Sequence, residues 1–206
     1  VEQQHILDTI KTGTNVYVDA VAGTGKTTLI LSMAKELKNK KILQMTYNKS
    51  LKFEVREKIE KDAVTNLNVH TYHSLAVCYY RDTAFVDNEL RKIVVNNEKP
   101  CQVIPDIDIL VLDETQDMTY LYFQFMCKFL FDVNKKVQLL ILGDYMQGLY
   151  EFKGSDIRYL TFGDLIWEKH PLLQTTEFSH CTMKMSYRIT NQIRDFVNEV
   201  LIGDSR

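Results

Sequence analysis

The stretch Ala20-Val21-Ala22-Gly23-Thr24-Gly25-Lys26-Thr27 combines two glycines, a lysine and a hydroxyl at a spacing suited to a polyphosphate. It matches GxxxxGK[ST] except that Ala20 replaces the first glycine. Gly23 and Gly25 would let backbone N–H groups approach a phosphate closely and would accept positive φ. A helix opening directly afterwards adds a favourable dipole for an anion. Lys26 is placed to reach the β- and γ-phosphates of ATP, and Thr27 to ligate Mg²⁺. A second chemical pair, Asp113-Glu114, closes the apolar run Ile109-Leu110-Val111-Leu112. Asp113 stands where a carboxylate would hold the Mg²⁺ shell. Glu114 is the natural general base for a hydrolytic water. Either feature alone has a plain explanation, a helix-capping turn or two solvated acids. Together, at strand ends on one sheet edge, they predict a nucleotide site.

The elements that must position these residues alternate along the chain. Residues 16–22, 41–46, 66–71, 107–114 and 137–144 read as strands, and 26–38, 49–60, a stretch from about 73, and 121–131 as helices. Strands that are apolar throughout, alternating with helices, predict a parallel sheet covered on both faces, the doubly wound α/β class. Gly23, Gly25, Gly143, Gly148 and Gly154 fall in two loops after predicted strands. Those loops lie at the carboxyl ends of strands, where such sheets bind ligands.

Composition sets the outer limits. The 206 residues are 45% hydrophobic and 25% charged, with 25 Lys plus Arg against 27 Asp plus Glu and a net charge of −2. This excludes a disordered tail or a polybasic arm. Any nucleic-acid contact must come from a local groove, because bulk attraction needs a basic chain. Cys78, Cys101, Cys127 and Cys181 form no CxxC pair, and read as reduced, buried thiols of an intracellular protein, cytoplasmic or nuclear. No stretch approaches the roughly 20 apolar residues of a membrane helix. The chain begins with Val1, which suggests a segment upstream.

The order of short motifs resembles that of UvrD/Rep-like superfamily 1 DNA helicases. Asp113-Glu114-Thr115-Gln116-Asp117 is similar to their DExQD box. Glu2 to Leu7 resembles the Q motif. Thr46-Tyr47-Asn48-Lys49 resembles motif Ia, with wording most similar to the F-box helicase branch and its viral relatives. Thr71-Tyr72-His73-Ser74 resembles TFHS, Gly143 to Gly154 resembles motif III (GDxxQxIYxFRG), and Ser186 to Thr190 resembles motif IV. The likeness runs from Glu2 to about Leu201. It implies a RecA-like P-loop NTPase fold and ATP hydrolysis coupled to movement along single-stranded DNA, with RNA left open and 3′→5′ polarity by analogy.

It also implies roles. Gln3, Ala22, Gly23, Thr24, Gly25, Lys26, Thr27, Thr28, Asp113 and Tyr187 would hold MgATP, with Gln3 reading the adenine edge and Tyr187 stacking on the base. Gln147 would contact the γ-phosphate, and Arg188 would act as an arginine finger beside Lys26 and Glu114. Tyr47, Asn48, Lys49, Tyr72, His73, Tyr150 and Phe152 would line the strand path, where aromatic stacking contributes about 1–3 kcal/mol per base. Lys153 stands where relatives often carry Arg, and Thr28 where some carry an adenine-stacking Arg. Only 39 residues separate His73 from Asp113, room for a short insertion at 82–106 with one or two helices. Residues 1–181 are expected to form the ATP-binding motor domain. Residues 182–206, with a helix over 190–202, would begin a second RecA-like domain lying downstream. Two other classes share the phosphate loop: a non-translocating ATPase switch, and a small-molecule or nucleoside kinase, which needs neither the DExQD nor the GDxxQ box.

Overall fold

The computed structural model describes residues 2–148, 154–187, 190–196 and 199–200. Six parallel strands form one sheet in the order β3-β2-β4-β5-β1-β6. They are β1 (Asn15–Ala20), β2 (Ile42–Met45), β3 (Leu67–His70), β4 (Ile109–Leu112), β5 (Gln138–Gly143) and β6 (Phe178–Met183). The helices are α1 (Glu2–Lys11), α2 (Lys26–Glu36), α3 (Lys49–Lys61), α4 (Tyr72–Tyr79), α5 (Asp87–Val95), α6 (Tyr120–Val133), α7 (Arg158–Thr161), α8 (Gly163–Trp167) and α9 (Asn191–Phe196).

Burial follows position in the sheet except in β1, an interior strand in which Tyr17 and Asp19 are only half-buried. Every residue of β2, β4 and β5 is buried, as an interior strand covered on both faces requires. The edge strands β3 and β6 mix buried and exposed positions. Alternation along β4 sends Leu110 and Leu112 to one face, where they join Leu75 of α4, Leu90 of α5 and Phe125 of α6. Ile109 and Val111 point the other way, onto Ile6 of α1, Leu29 of α2 and Val55 of α3. Two cores therefore clamp one sheet, and its carboxyl-end loops are free to carry chemistry.

The insertion at 82–106 contains one helix, α5. Leu90 and Ile93 are buried against α6. Arg81 clips its two ends by pairing with Glu89 at 2.7 Å and with Glu98. β6 was not expected from the sequence. It pairs with β1 from Asn15↔Phe178 to Ala20↔Met183, so Thr182 and Met183 belong to this sheet. All four cysteines are free, but contrary to the expectation of burial Cys78 and Cys101 are exposed, and only Cys181 is fully buried. Among the described residues, no helix is long and apolar enough to cross a membrane.

Candidate nucleotide site

Three neighbouring strands bring the chemistry together. β5 lies between β1 and β4, so the loops after all three open onto one cavity of about 810 Å³. The phosphate loop follows β1. Gly25 takes φ 90 and ψ 35 at the N-cap of α2, a left-handed turn open to glycine at little cost. A β-carbon there would also meet Gln3 Nε2 at 2.7 Å. Gln3, on the first turn of α1, donates to the Thr24 carbonyl at 3.1 Å. Thr24 is buried, and its hydroxyl donates to the Val21 carbonyl at 2.8 Å, which folds the loop on itself. Gln3, Ala22, Gly23, Gly25, Lys26, Thr27 and Thr28 all line the cavity.

The loop after β4 supplies the acids. Asp113 is 2% exposed. Its carboxylate accepts from Gln44 Nε2 at 2.8 Å and from the Glu114 amide at 3.0 Å. Burial, and then the Glu114 charge, push Asp113 up to about 7, against smaller lowering by Lys26 and these hydrogen bonds. Glu114 itself adopts a left-handed φ of 52, a conformation rare outside glycine and concentrated at functional turns. Its Oε1 lies 3.4 Å from Lys26 Nζ. Asp117 also lines the cavity, and burial followed by Glu114 raises it to about 6. Its Oδ1 is buried without a hydrogen-bond partner.

The loop after β5 joins the two. Asp144, 2% exposed, accepts from the Ala22 amide of the phosphate loop at 3.0 Å and from Gln147 Nε2 at 2.8 Å. Gln147 reaches the cavity from this loop. Beyond β6 the chain crosses the same opening: Ser186 donates to the Ala22 carbonyl at 2.9 Å and the Tyr187 amide to the Gly23 carbonyl at 2.9 Å. The Tyr187 ring is 73% exposed beside the cavity.

The residues expected on the strand path are less uniform. Asn48 caps α3, accepting from the Ser50 amide at 2.8 Å, and Lys49 is exposed in the first turn. Tyr47 is half-buried, 6.1 Å from the Tyr122 ring. Tyr72 is a correction. It is 3% exposed and stacks flat on Tyr122 at 4.4 Å, so its ring belongs to the core. The Thr71–Ser74 capping box starts α4 so that Tyr72 turns inward. His73 bonds Asp87 of the insertion at 3.0 Å, with Tyr122 donating to the same carboxylate oxygen at 3.1 Å. Tyr150, Phe152 and Arg188 lie outside the described residues, as does Lys153.

Gln44, Gln116 and Asp144 were assigned no role from the sequence. Gln44 left a usable signal, a lone amide inside the apolar strand Ile42–Met45. Buried polar groups of this kind are held by a partner.

The chain was also compared with known proteins. The family described as AAA domain matches residues 3–153. No curated protein matches. Among solved structures, Pif1 helicase from Candida albicans aligns at 19% identity over 91% of this chain and 40% of its own, with a TM-score of 0.52. Bacteroides sp Pif1 in complex with ADP-AlF4 aligns at 19% identity, covering 95% of this chain and 46% of that one, with a TM-score of 0.53. Bacteroides Pif1 bound to ssDNA aligns at 17% identity, covering 93% and 43%, with a TM-score of 0.55. The chain thus spans less than half the length of these helicases, and at such identities the likeness is one of fold. By its match over residues 3–153, the chain belongs to the AAA-domain family, and it has the P-loop NTPase α/β fold.

Proposed function

We propose that this chain is the ATP-binding motor portion of an ATP-dependent DNA helicase of the UvrD/Rep-like kind. The observation that carries the reading is the convergence of Lys26, Glu114 and Gln147, from the ends of three neighbouring strands, on one cavity. A phosphate loop alone would serve a kinase equally well. A carboxylate base and a glutamine opposite the loop suit transfer of a phosphoryl group to water.

In this reading the loop amides and Lys26 bind the β- and γ-phosphates of ATP. Glu114 orients a water and accepts its proton as the oxygen bonds to the γ-phosphorus. The bond from that phosphorus to the bridging oxygen breaks, and ADP leaves with the electron pair. Lys26 stabilises the charge gathering on the phosphoryl oxygens. Gln147 contacts the γ-phosphate, and Arg188 completes the charge clamp. Thr27 and Asp113 fit a magnesium ion. One hydroxyl and one buried carboxylate are hard oxygen donors, few enough that phosphates and water complete the shell. Such an ion would offset phosphate charge.

Tyr47, Lys49, Tyr150 and Phe152 would contact the single strand, shared with a second RecA-like domain downstream of β6, since Thr182 and Met183 pair within this sheet and not with such a domain. The Pif1 structure bound to ssDNA supports that partner. The test is ATP turnover by the full-length protein with and without single-stranded DNA. Stimulation by DNA is the expected result. Turnover indifferent to DNA would replace the helicase with an ATPase switch. RNA run in parallel shows which nucleic acid is preferred.

A further inference from the structure

Gln116 sits in the short 3-10 turn after β4 and is 3% exposed. Both ends of its carboxamide are engaged. Nε2 donates to Glu114 Oε2 at 2.8 Å, and Oε1 accepts from the Asp144 amide at 3.2 Å. Chemistry dictates this orientation: the Asp144 N–H can only donate, and an ionised Glu114 can only accept. The same contact accounts for the glycine that ends β5. A β-carbon on Gly143 would lie 2.5 Å from Gln116 Oε1, so only glycine leaves room for the amide.

A continuous chain of contacts follows. Lys26 meets Glu114 at Oε1, Gln116 holds Glu114 at Oε2, Gln116 reaches Asp144, and Asp144 holds both Gln147 and the Ala22 amide. We propose that Gln116 is the positioning residue of this site, fixing the Glu114 carboxylate for water activation and tying it to the strand end that carries Gln147. The proposal rests on the hydrolytic reading given above. Glu114 has two holders in this structure. A γ-phosphate drawing Lys26 to itself releases Oε1, while Gln116 keeps Oε2. The freed oxygen can then take the proton of a water, and the carboxylate cannot rotate away. A shift of Gln147 on the phosphate moves Asp144, and the Asp144 amide passes that shift to Gln116.

The test uses the full-length protein with Gln116→Met and Gln116→Glu. The first keeps the length and loses both hydrogen bonds. The second keeps an acceptor for the Asp144 amide but loses the donor to Glu114. Nucleotide affinity, read with a fluorescent ATP analogue, should stay within about threefold, while kcat falls about 10- to 100-fold with KM little changed. A role in folding alone would lower the melting temperature and leave kcat per folded molecule intact. If Gln116→Met does not fold, Gln116→Glu decides. Wild-type kcat, within twofold, in either folded variant overturns the proposal. So does a loss confined to nucleotide affinity. A wild-type protein that does not hydrolyse ATP under any nucleic-acid condition overturns the hydrolytic reading, and this proposal with it.

Discussion

Asp113 and Asp132 are both carboxylates taken out of water, and the protein treats them in opposite ways. The Asp132 side chain is 8% exposed, and a single oxygen of it accepts from Lys128 Nζ at 2.6 Å and from the Tyr80 hydroxyl at 2.6 Å. Lys128, equally buried, also lies over the Tyr80 ring at 4.7 Å. Charge there is matched one to one, and the cluster binds α4 to α6. Asp113 has instead a neutral amide, a backbone N–H and a second carboxylate for neighbours. Asp117 is raised by burial and by Glu114 in the same way, and Lys26 acts against both shifts. A matched buried pair holds structure, and an unmatched one marks a place where charge is to arrive.

That contrast breaks first at Lys26. Lys26→Ala should cut ATP turnover by about 1000-fold or more, because it removes both the phosphate clamp and the cation beside the acids. Glu114→Gln should retain nucleotide while losing hydrolysis, since shape survives and the base does not. Steady-state turnover with a parallel binding titration checks both. Retained turnover in Lys26→Ala would remove the phosphate-site assignment.

The structural cluster should respond in stability and not in chemistry. Asp132→Asn leaves Lys128 buried without its counter-charge, and should cost about 3–5 kcal/mol in denaturant unfolding. The double replacement Lys128→Met with Asp132→Leu should recover most of that loss. If the double variant is as unstable as the single one, the cluster does more than balance charge.

How far this was readable in the sequence depends on what each residue must satisfy. The interior strands were legible because burial on both faces leaves an unbroken apolar run, as in Leu139–Leu142. The edge strand β6 was not. Phe-Ser-His-Cys-Thr-Met needs one covered side, and its mix of residues resembles a loop. Lys26, Asp113 and Glu114 stand out in the sequence because phosphate chemistry restricts the residue types, and the structure places Lys26 3.4 Å from Glu114, which is the placement the proposed roles require. Tyr72 was misread because an aromatic in a motif looks the same whether it faces a groove or Tyr122. Gln116 and Asp144 lay inside recognisable boxes. Their contact across two strand ends exists only once β4 and β5 are neighbours.

His70, at the end of β3, offers a smaller effect. Burial, then Arg56 and Lys52, push its imidazole down to about 4, while Ser74 Oγ lies 3.4 Å from Nδ1. A depressed histidine folds in its neutral form. Its full stability is present above the unfolded value of about 6.5 and is lost as pH falls toward 4. Unfolding free energy should drop by about 2 kcal/mol between pH 7 and pH 4.5 from this group. His70→Gln should flatten that part of the profile, and an unchanged slope in the variant would assign the loss to other groups.

The smallest effect is the most discriminating, because it has the opposite sign to Asp132. Burial and the Glu114 charge hold the Asp113 carboxyl well above its unfolded value near 4, so ionising it costs stability that is small at pH 4 and grows as pH rises through the raised folded value. Asn keeps the shape and an acceptor, and it removes a charge held against Glu114. With divalent cations chelated, Asp113→Asn should therefore stabilise the protein by about 1 kcal/mol at pH 8 and leave it unchanged near pH 4, while abolishing turnover. Denaturant melts at the two pH values read the difference directly. No gain at pH 8 would mean that Lys26 already balances Asp113, and the two buried carboxylates would then differ in geometry alone.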